Sequence, residues 1–367
     1  MCMNLKRAAR NYRFVGLGNV KLTYYYSRGW IAPLVPIVRL EPIFAPHETP
    51  DRSQQDTHIA LYAVSDDSVF NEAHRVLSSI LDDVPRPKPP APRVKFIAAN
   101  KTQDRVNILQ LSVDTAFQQP HLYFVYRPNQ REGFVISREK ERRSLYNTTE
   151  VLIELLLMHS PLFGFHGTAV RYGQQGVVFT GRAGAGKTSL MIGLLSRGAT
   201  FLSDDISIIT QYGTIMPLEH KELTIRSSTR TYLQGQGLLN DLPEEQGEAW
   251  HPNNEVYRYT SDLFFNKMCH SLTTLTTVFL PRYYAETSTV RITNVSPNDA
   301  LHTLEASTDL LPWIMQWEKA FGEPSKRATV WKQLQHWLIT GRVRVLHIEY
   351  GDDLDRAAMC ITDYLQS

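Results

Sequence analysis

The residues with the clearest chemical content are Gly181-Arg182-Ala183-Gly184-Ala185-Gly186-Lys187-Thr188, with Ser189 directly after them. They fit the pattern G-x-x-x-x-G-K-[ST]. Glycines at these positions let the backbone turn tightly, so that successive N–H groups point inward and cradle phosphate oxygens. A helix opening at the lysine aims its positive end at the same anion. Lys187 supplies a point charge for the outer phosphates, and Thr188 supplies a hydroxyl for Mg²⁺. The motif should follow a strand and open a helix. Val177-Val-Phe-Thr180 precedes it, and Ser189-Leu-Met-Ile-Gly-Leu-Leu195 follows it.

Further on stand two adjacent carboxylates, Asp204-Asp205, at the end of the apolar segment Thr200-Phe-Leu-Ser203. The chain between Lys187 and Asp204 is enough for one helix and one strand. A strand lying beside the phosphate-loop strand would carry these carboxylates to the phosphates. One could hold Mg²⁺, directly or through water. The other could accept a proton from a hydroxyl nucleophile. The plain alternative is a turn in which aspartates bond their own backbone. His166 precedes Gly167 on the strand before the loop. By itself a lone histidine there reads as structural.

The elements that must position these groups follow from periodicity and turn residues. Phe165–Val170 and Val177–Thr180 read as strands around a Gly-bounded turn, and Lys187–Ser196 as a helix with Gly198 at its C-terminal end. Phe201–Ser203, Ile206–Thr210, Leu275–Leu280 and Val343–Ile348 read as strands. Helices are predicted over Pro297–Leu304, opened by Ser296-Pro297, over Lys326–Leu338 and over Leu354–Leu365. Upstream, Asn147 and Glu150 make a capping-box-like start for a helix through Val151–Met158.

The first 145 residues read mostly as strands: Ile59–Val64, Val94–Ala98, Val106–Val113, Leu122–Tyr126 and Phe134–Ser137. A polar loop spans Pro46 to Asp56. Residues 84–93, VPRPKPPAPR, form a proline-rich extended connector. The alternating charges of Arg138-Glu-Lys-Glu-Arg-Arg143 suit a solvated linker or helix face. These shifts predict a β-rich N-terminal domain over 1–145 and a second domain over 146–367.

Composition bounds the rest. Among 367 residues, 43% are hydrophobic and 21% charged, which excludes wholesale disorder. The 39 Lys+Arg nearly balance 37 Asp+Glu, against a dedicated nucleic-acid binder. Cys2, Cys269 and Cys360 lie far apart and form neither a disulfide framework nor a zinc pattern. No run of 18 apolar residues predicts a membrane span, and the N-terminus has no secretory pattern. The expectation is a soluble cytoplasmic protein.

Taken together, His166-Gly-Thr-Ala-Val, the glycine loop, Arg197-Gly-Ala-Thr-Phe-Leu-Ser and Asp204-Asp205 resemble the catalytic domain of the HPr kinase/phosphorylase family. They look most like its divergent bacterial relatives, some of which modify serine on ribosomal peptides such as lasso-peptide precursors. The resemblance covers residues 150–365. It implies an α/β fold of the HPr kinase / phosphoenolpyruvate-carboxykinase-like phosphate-loop type, a mixed sheet with flanking helices, behind a smaller β-rich α+β N-terminal domain. It also implies ATP and Mg²⁺, with the γ-phosphoryl group going to a serine hydroxyl.

By position, the resemblance makes His166 the family histidine, Lys187 the loop lysine, Asp204 the catalytic carboxylate and Asp205 the metal-associated one. The family signature Leu-Glu-Ile/Val-Arg-Gly-x-Gly is met only by Glu222-Leu-Thr-Ile-Arg226-Ser-Ser-Thr-Arg230, with the arginine kept and the glycines absent. Arg226 could clamp a transferring phosphoryl group.

Three activities fit these residues. One is a kinase acting on Ser or Thr of a protein or peptide, the partner class that the resemblance implies. The second is a kinase for a small metabolite hydroxyl. The third is a nucleotide-binding regulatory protein without turnover, which would have no need of Asp204. A homo-oligomer is compatible with all three.

Overall fold

The structure is a computed structural model that describes residues 11–17, 20–26, 57–82, 94–101, 104–111, 122–127, 130–138, 162–182, 184–204, 206–218, 223–235, 248–251, 254–259, 269, 271–308 and 327–367. It is a mixed α/β chain that separates into two compact units, residues 1–160 with 313–325 and residues 161–312 with 326–367. The boundary expected at 145, the capped helix over 151–158, the connector 84–93, the loop 46–56 and the charged stretch beyond Arg138 all lie outside the described residues.

In the first unit, β1 (Asn11–Leu17), β2 (Val20–Tyr26), β3 (Thr57–Ser65), β4 (Val94–Lys101), β5 (Asp104–Leu111), β6 (Leu122–Arg127) and β7 (Glu132–Ser137) form one sheet in the order β1-β2-β3-β7-β6-β5-β4. A helix, α1 (Asp67–Asp82), follows β3 and buries Phe70, Ala73 and Leu77, which share one helical face. The Asp66 side chain caps it, accepting from the Val69 N–H at 2.9 Å. This helix and the strands β1 and β2 add to the strands legible in the sequence.

The second unit is built on an eight-stranded mixed sheet. Its strands are β8 (Leu162–Tyr172), β9 (Gln175–Thr180), β10 (Thr200–Ser203), β11 (Ile206–Thr210), β12 (Thr214–Met216), β16 (Thr273–Tyr283), β17 (Arg291–Asn294) and β18 (Arg344–Tyr350). Between β12 and β16 the chain makes a separate three-stranded antiparallel sheet from β13 (Leu223–Arg226), β14 (Glu248–His251) and β15 (Asn254–Tyr259). The helices are α2 (Lys187–Ser196), α3 (Ser227–Gly235), α4 (Pro297–Thr308), α5 (Arg327–Ile339) and α6 (Leu354–Gln366).

Strands β9, β16 and β18 run parallel, with Phe279 beside both Phe179 and Leu346. Alternation splits their side chains between two layers. Phe179, Phe279, Leu346, Ile348 and Tyr350 join α2 and α6 in one core. Val178, Val278, Leu280 and Val345 join α4 and α5 in the other. Each fully buried Leu or Phe contributes about 1.5–3 kcal/mol. Helix α2 is buried from Leu190 through Leu195, as expected for a helix apolar all round. Its Gly193 lets α6 approach: a Cβ there would lie 3.2 Å from the Cβ of Ala358.

The helix ends follow their sequence signals. Gly198 is left-handed at φ 92° after α2. Ser296 caps α4, accepting from the Asp299 N–H at 3.2 Å, and Asp353 caps α6, accepting from the Arg356 N–H at 2.8 Å. Among the described residues, no helix is long and apolar enough to cross a membrane.

Candidate phosphate-loop site

The glycine loop leaves the C-terminal end of β9 and enters α2. Gly181, Gly184 and Gly186 have φ of 145°, 81° and 86°, values that side chains disfavour. At Gly186 the reason for glycine is also steric. A Cβ there would sit 1.6 Å from the Tyr350 hydroxyl oxygen. Tyr350 is buried at the end of β18, and its hydroxyl donates to the Ala185 and Gly186 carbonyls at 3.4 and 3.3 Å. Gly186 is the N-cap of α2 and gives no side-chain bond, and the first turn carries no acidic residue. The first N–H groups of this helix are therefore not capped from within it.

Lys187 is buried, 8% exposed. Its ammonium donates to the Gly181 and Arg182 carbonyls at 2.9 and 3.1 Å, so the side chain folds back along its own loop. Arg182 and Gly184 are exposed, Ala185 and Ser189 half-buried, and Ala183 lies outside the described residues. Thr188 donates its hydroxyl to Asp204 Oδ1 at 3.3 Å. The carboxylate that receives it is 2% exposed.

Asp204 arrives by a route that differs from the one expected. Its strand, β10, does not lie beside β9. Strand β8 intervenes, pairing with β9 along one edge and with β10 and then β11 along the other. The chain turns from β10 to β11 at Asp204, where the Ile206 N–H donates to the Asp204 carbonyl at 2.7 Å. An eleven-residue strand can serve both neighbours, and two threonines tie it to the loop. Thr180 donates to the His166 carbonyl at 2.9 Å, and Thr168 to the Lys187 carbonyl at 3.5 Å. Gly167 must be glycine, because a Cβ there would meet the Phe179 carbonyl at 2.5 Å.

The predicted residues thus divide into groups. Lys187, Thr188 and Asp204 come together at the loop. His166 is half-buried on β8 opposite Ile206, with its carbonyl held by Thr180. Arg226 ends β13 in the separate small sheet, paired with Val256, and its side chain is outside the described residues, as is Asp205. Sequence reasoning missed Tyr350. Only its place in an alternating strand, Arg344–Tyr350, could have hinted at it, and that pattern says nothing of a partner 165 positions away.

The site also bears on a metal. A threonine hydroxyl and a carboxylate in contact are both hard oxygen donors. Mg²⁺ bound with a nucleotide takes one or two protein ligands and fills its shell from phosphates and water. Among the described residues no cluster of three or more His, Cys, Asp or Glu forms a dedicated metal cage. Thr188 and Asp204 therefore fit Mg²⁺ brought by a polyphosphate.

Fold and site together define a mixed α/β protein with a glycine loop braced by a buried tyrosine and faced by a buried carboxylate. Comparison with known proteins adds a lineage. The chain is 28% identical over 83 residues to an HPr kinase/phosphorylase of Chlorobium luteolum, covering 23% of this chain and 24% of that protein. It is 29% identical over 82 residues to an HPr kinase/phosphorylase of Chlorobium limicola, covering 22% and 24%. No family model matches the chain. It is distantly related to the HPr kinase/phosphorylases, and it spans about a quarter of the length of the curated relatives it matches.

Proposed function

We propose that the second unit is a kinase domain of the HPr kinase phosphate-loop type, which transfers the γ-phosphoryl group of ATP to a hydroxyl. The observation that carries this reading is the contact between Thr188 and buried Asp204 at the mouth of the glycine loop. A carboxylate held there at the expense of its hydration supplies an acceptor for a hydroxyl proton as well as a metal ligand, the two things that phosphoryl transfer to a hydroxyl needs. The distant relationship to proteins named as kinases supports the same direction.

In this reading the loop N–H groups and Lys187 hold the β- and γ-phosphates. Lys187 leaves its loop carbonyls to do so. Thr188, with Asp204 or Asp205, would hold Mg²⁺, which supplies neutralisation of the charge on the phosphate oxygens. Asp204 accepts the proton of the acceptor hydroxyl. The acceptor oxygen bonds to the γ-phosphorus, the bond from that phosphorus to the β,γ-bridging oxygen breaks, and ADP leaves with the electron pair. His166, and Arg226 if its side chain reaches the loop, orient the transferring group.

The acceptor is a Ser or Thr of a protein or peptide, the class that fits relatives named for a protein substrate. The test is a labelling assay with γ-labelled ATP, Mg²⁺ and a cell lysate, comparing wild type with Asp204→Asn. Label should enter a protein or peptide with wild type and not with the variant. Label in a small metabolite would redirect the acceptor assignment. Transfer that survives Asp204→Asn would remove Asp204 from the role of base.

A further inference from the structure

Strand β16 runs past the end of β9, so that Pro281 stands beside Gly181 and Tyr283 lies beyond the loop, paired with Tyr350 of β18. Tyr283 is 43% exposed. Its ring packs edge-on against Tyr350 at 5.6 Å between centroids, and Tyr350 in turn holds the Ala185 and Gly186 carbonyls. The Tyr283 hydroxyl donates to Asp352. The chain after it is pinned as well. The Tyr284 N–H donates to the Tyr350 carbonyl at 2.9 Å, and a Cβ on Gly351 would come 1.9 Å from the Thr287 carbonyl. A single exposed tyrosine is ordinary on a protein surface. This one is held against the Tyr350 ring and at its hydroxyl, and it stands on the face of the sheet that carries α2 and the loop.

Its side of the loop matters too. Asp204 reaches the loop across β8, whereas Tyr283 flanks it across β16. A triphosphate lying over the loop with its transferring end at Asp204 sends its nucleoside the other way, past the ends of β16 and β18. Stacking on an immobilised ring loses little conformational freedom, and every base offers a π face.

We propose that Tyr283 is the stacking platform for the base of a nucleoside triphosphate. This rests on the reading of the loop as a nucleotide site. The platform holds the base without selecting adenine over guanine, because a ring face offers no hydrogen-bond code.

The experiment measures binding, in the presence of Mg²⁺, of ATP and of inorganic tripolyphosphate to the full chain. Wild type, Tyr283→Ala, Tyr283→Leu and Tyr283→Phe are compared, with thermal midpoints to confirm folding. Loss of stacking should weaken ATP about tenfold in the Ala and Leu variants. Tripolyphosphate binding should stay within about twofold, and Tyr283→Phe should keep ATP affinity, because the ring remains. Equal losses for both ligands, or ATP affinity indifferent to Tyr283→Leu, overturn the platform and leave the loop reading standing. A wild type that binds neither ligand overturns the loop reading, and the platform with it.

Discussion

Gly186→Ala tests whether the loop is shaped against Tyr350. The residue has φ of 86°, and an alanine there carries a left-handed penalty of about 1–2 kcal/mol. Its Cβ would lie 1.6 Å from the Tyr350 hydroxyl oxygen and 2.9 Å from the ring carbon that bears it. Forcing a methyl into such a packed place costs about 1–3 kcal/mol more. The expected loss is therefore about 2–5 kcal/mol. Tyr350→Phe alone should cost about 0.5–1.5 kcal/mol, the worth of its hydrogen bonds to the loop carbonyls. In the double variant the 1.6 Å overlap is gone but the 2.9 Å contact remains, so relief should be partial. A double-mutant cycle should give a favourable coupling of about 1 kcal/mol. Urea unfolding of the four proteins measures it, and the alanine variant should melt at least about 4 °C below wild type. Because the loop must move to admit the methyl, ATP affinity should fall as well. Strictly additive costs, or an alanine variant within about 0.5 kcal/mol of wild type, would refute the idea that Tyr350 moulds the loop.

Lys187→Ala should lower ATP affinity by about a hundredfold, given that charge-assisted bonds to phosphate contribute roughly twice as much as neutral ones; titration calorimetry would show it, and unchanged affinity would remove the lysine from the phosphates. Thr188→Val should reduce Mg²⁺-dependent ATP binding while Thr188→Ser keeps it, because only the hydroxyl meets Asp204; equal behaviour of the two would contradict that role. Gly351→Ala should destabilise by about 1–3 kcal/mol through its contact with the Thr287 carbonyl, 1.9 Å from the added Cβ, as read by thermal unfolding. Burial first, and then the Arg282 guanidinium, hold His347 below its ordinary value of 6.5. The unfolded chain then takes up this proton before the folded one, so the contribution of neutral His347 is present above about pH 6.5 and is lost as pH falls further. His347→Gln should flatten the acid loss of stability, and an unchanged slope would count against it.

The elements nearest the loop were the most legible. Helix α2 has the bounds that its glycine loop, apolar run and Gly198 predict, and β11 has the bounds of its apolar run. Local signals suffice there, because the turn residues and the apolar runs agree. Helix α1 was not legible against a strand-rich background, although its buried Phe70, Ala73 and Leu77 keep helical spacing. The strands β14 and β15 were also hidden. They are short, among the described residues they pair only within the small sheet that they form with β13, and single-strand propensity carries little information without a partner.

The same division runs through the site. Sequence alone determined that a glycine loop with the G-x-x-x-x-G-K-[ST] pattern stands between a strand and a helix, which lysine and hydroxyl it carries, and that a carboxylate pair follows one helix and one strand later. Those are properties of adjacent residues, where backbone geometry leaves few choices. Which strand carries Asp204 to the loop, and from which side, was decided by tertiary structure. Strand pairing is a non-local choice, and the expected neighbour, β10, was displaced by β8. Tyr350 and Tyr283 likewise acquired their places only through the parallel pairing of β9, β16 and β18. A tyrosine in a strand has no chemistry of its own until the fold sets a glycine loop against its hydroxyl.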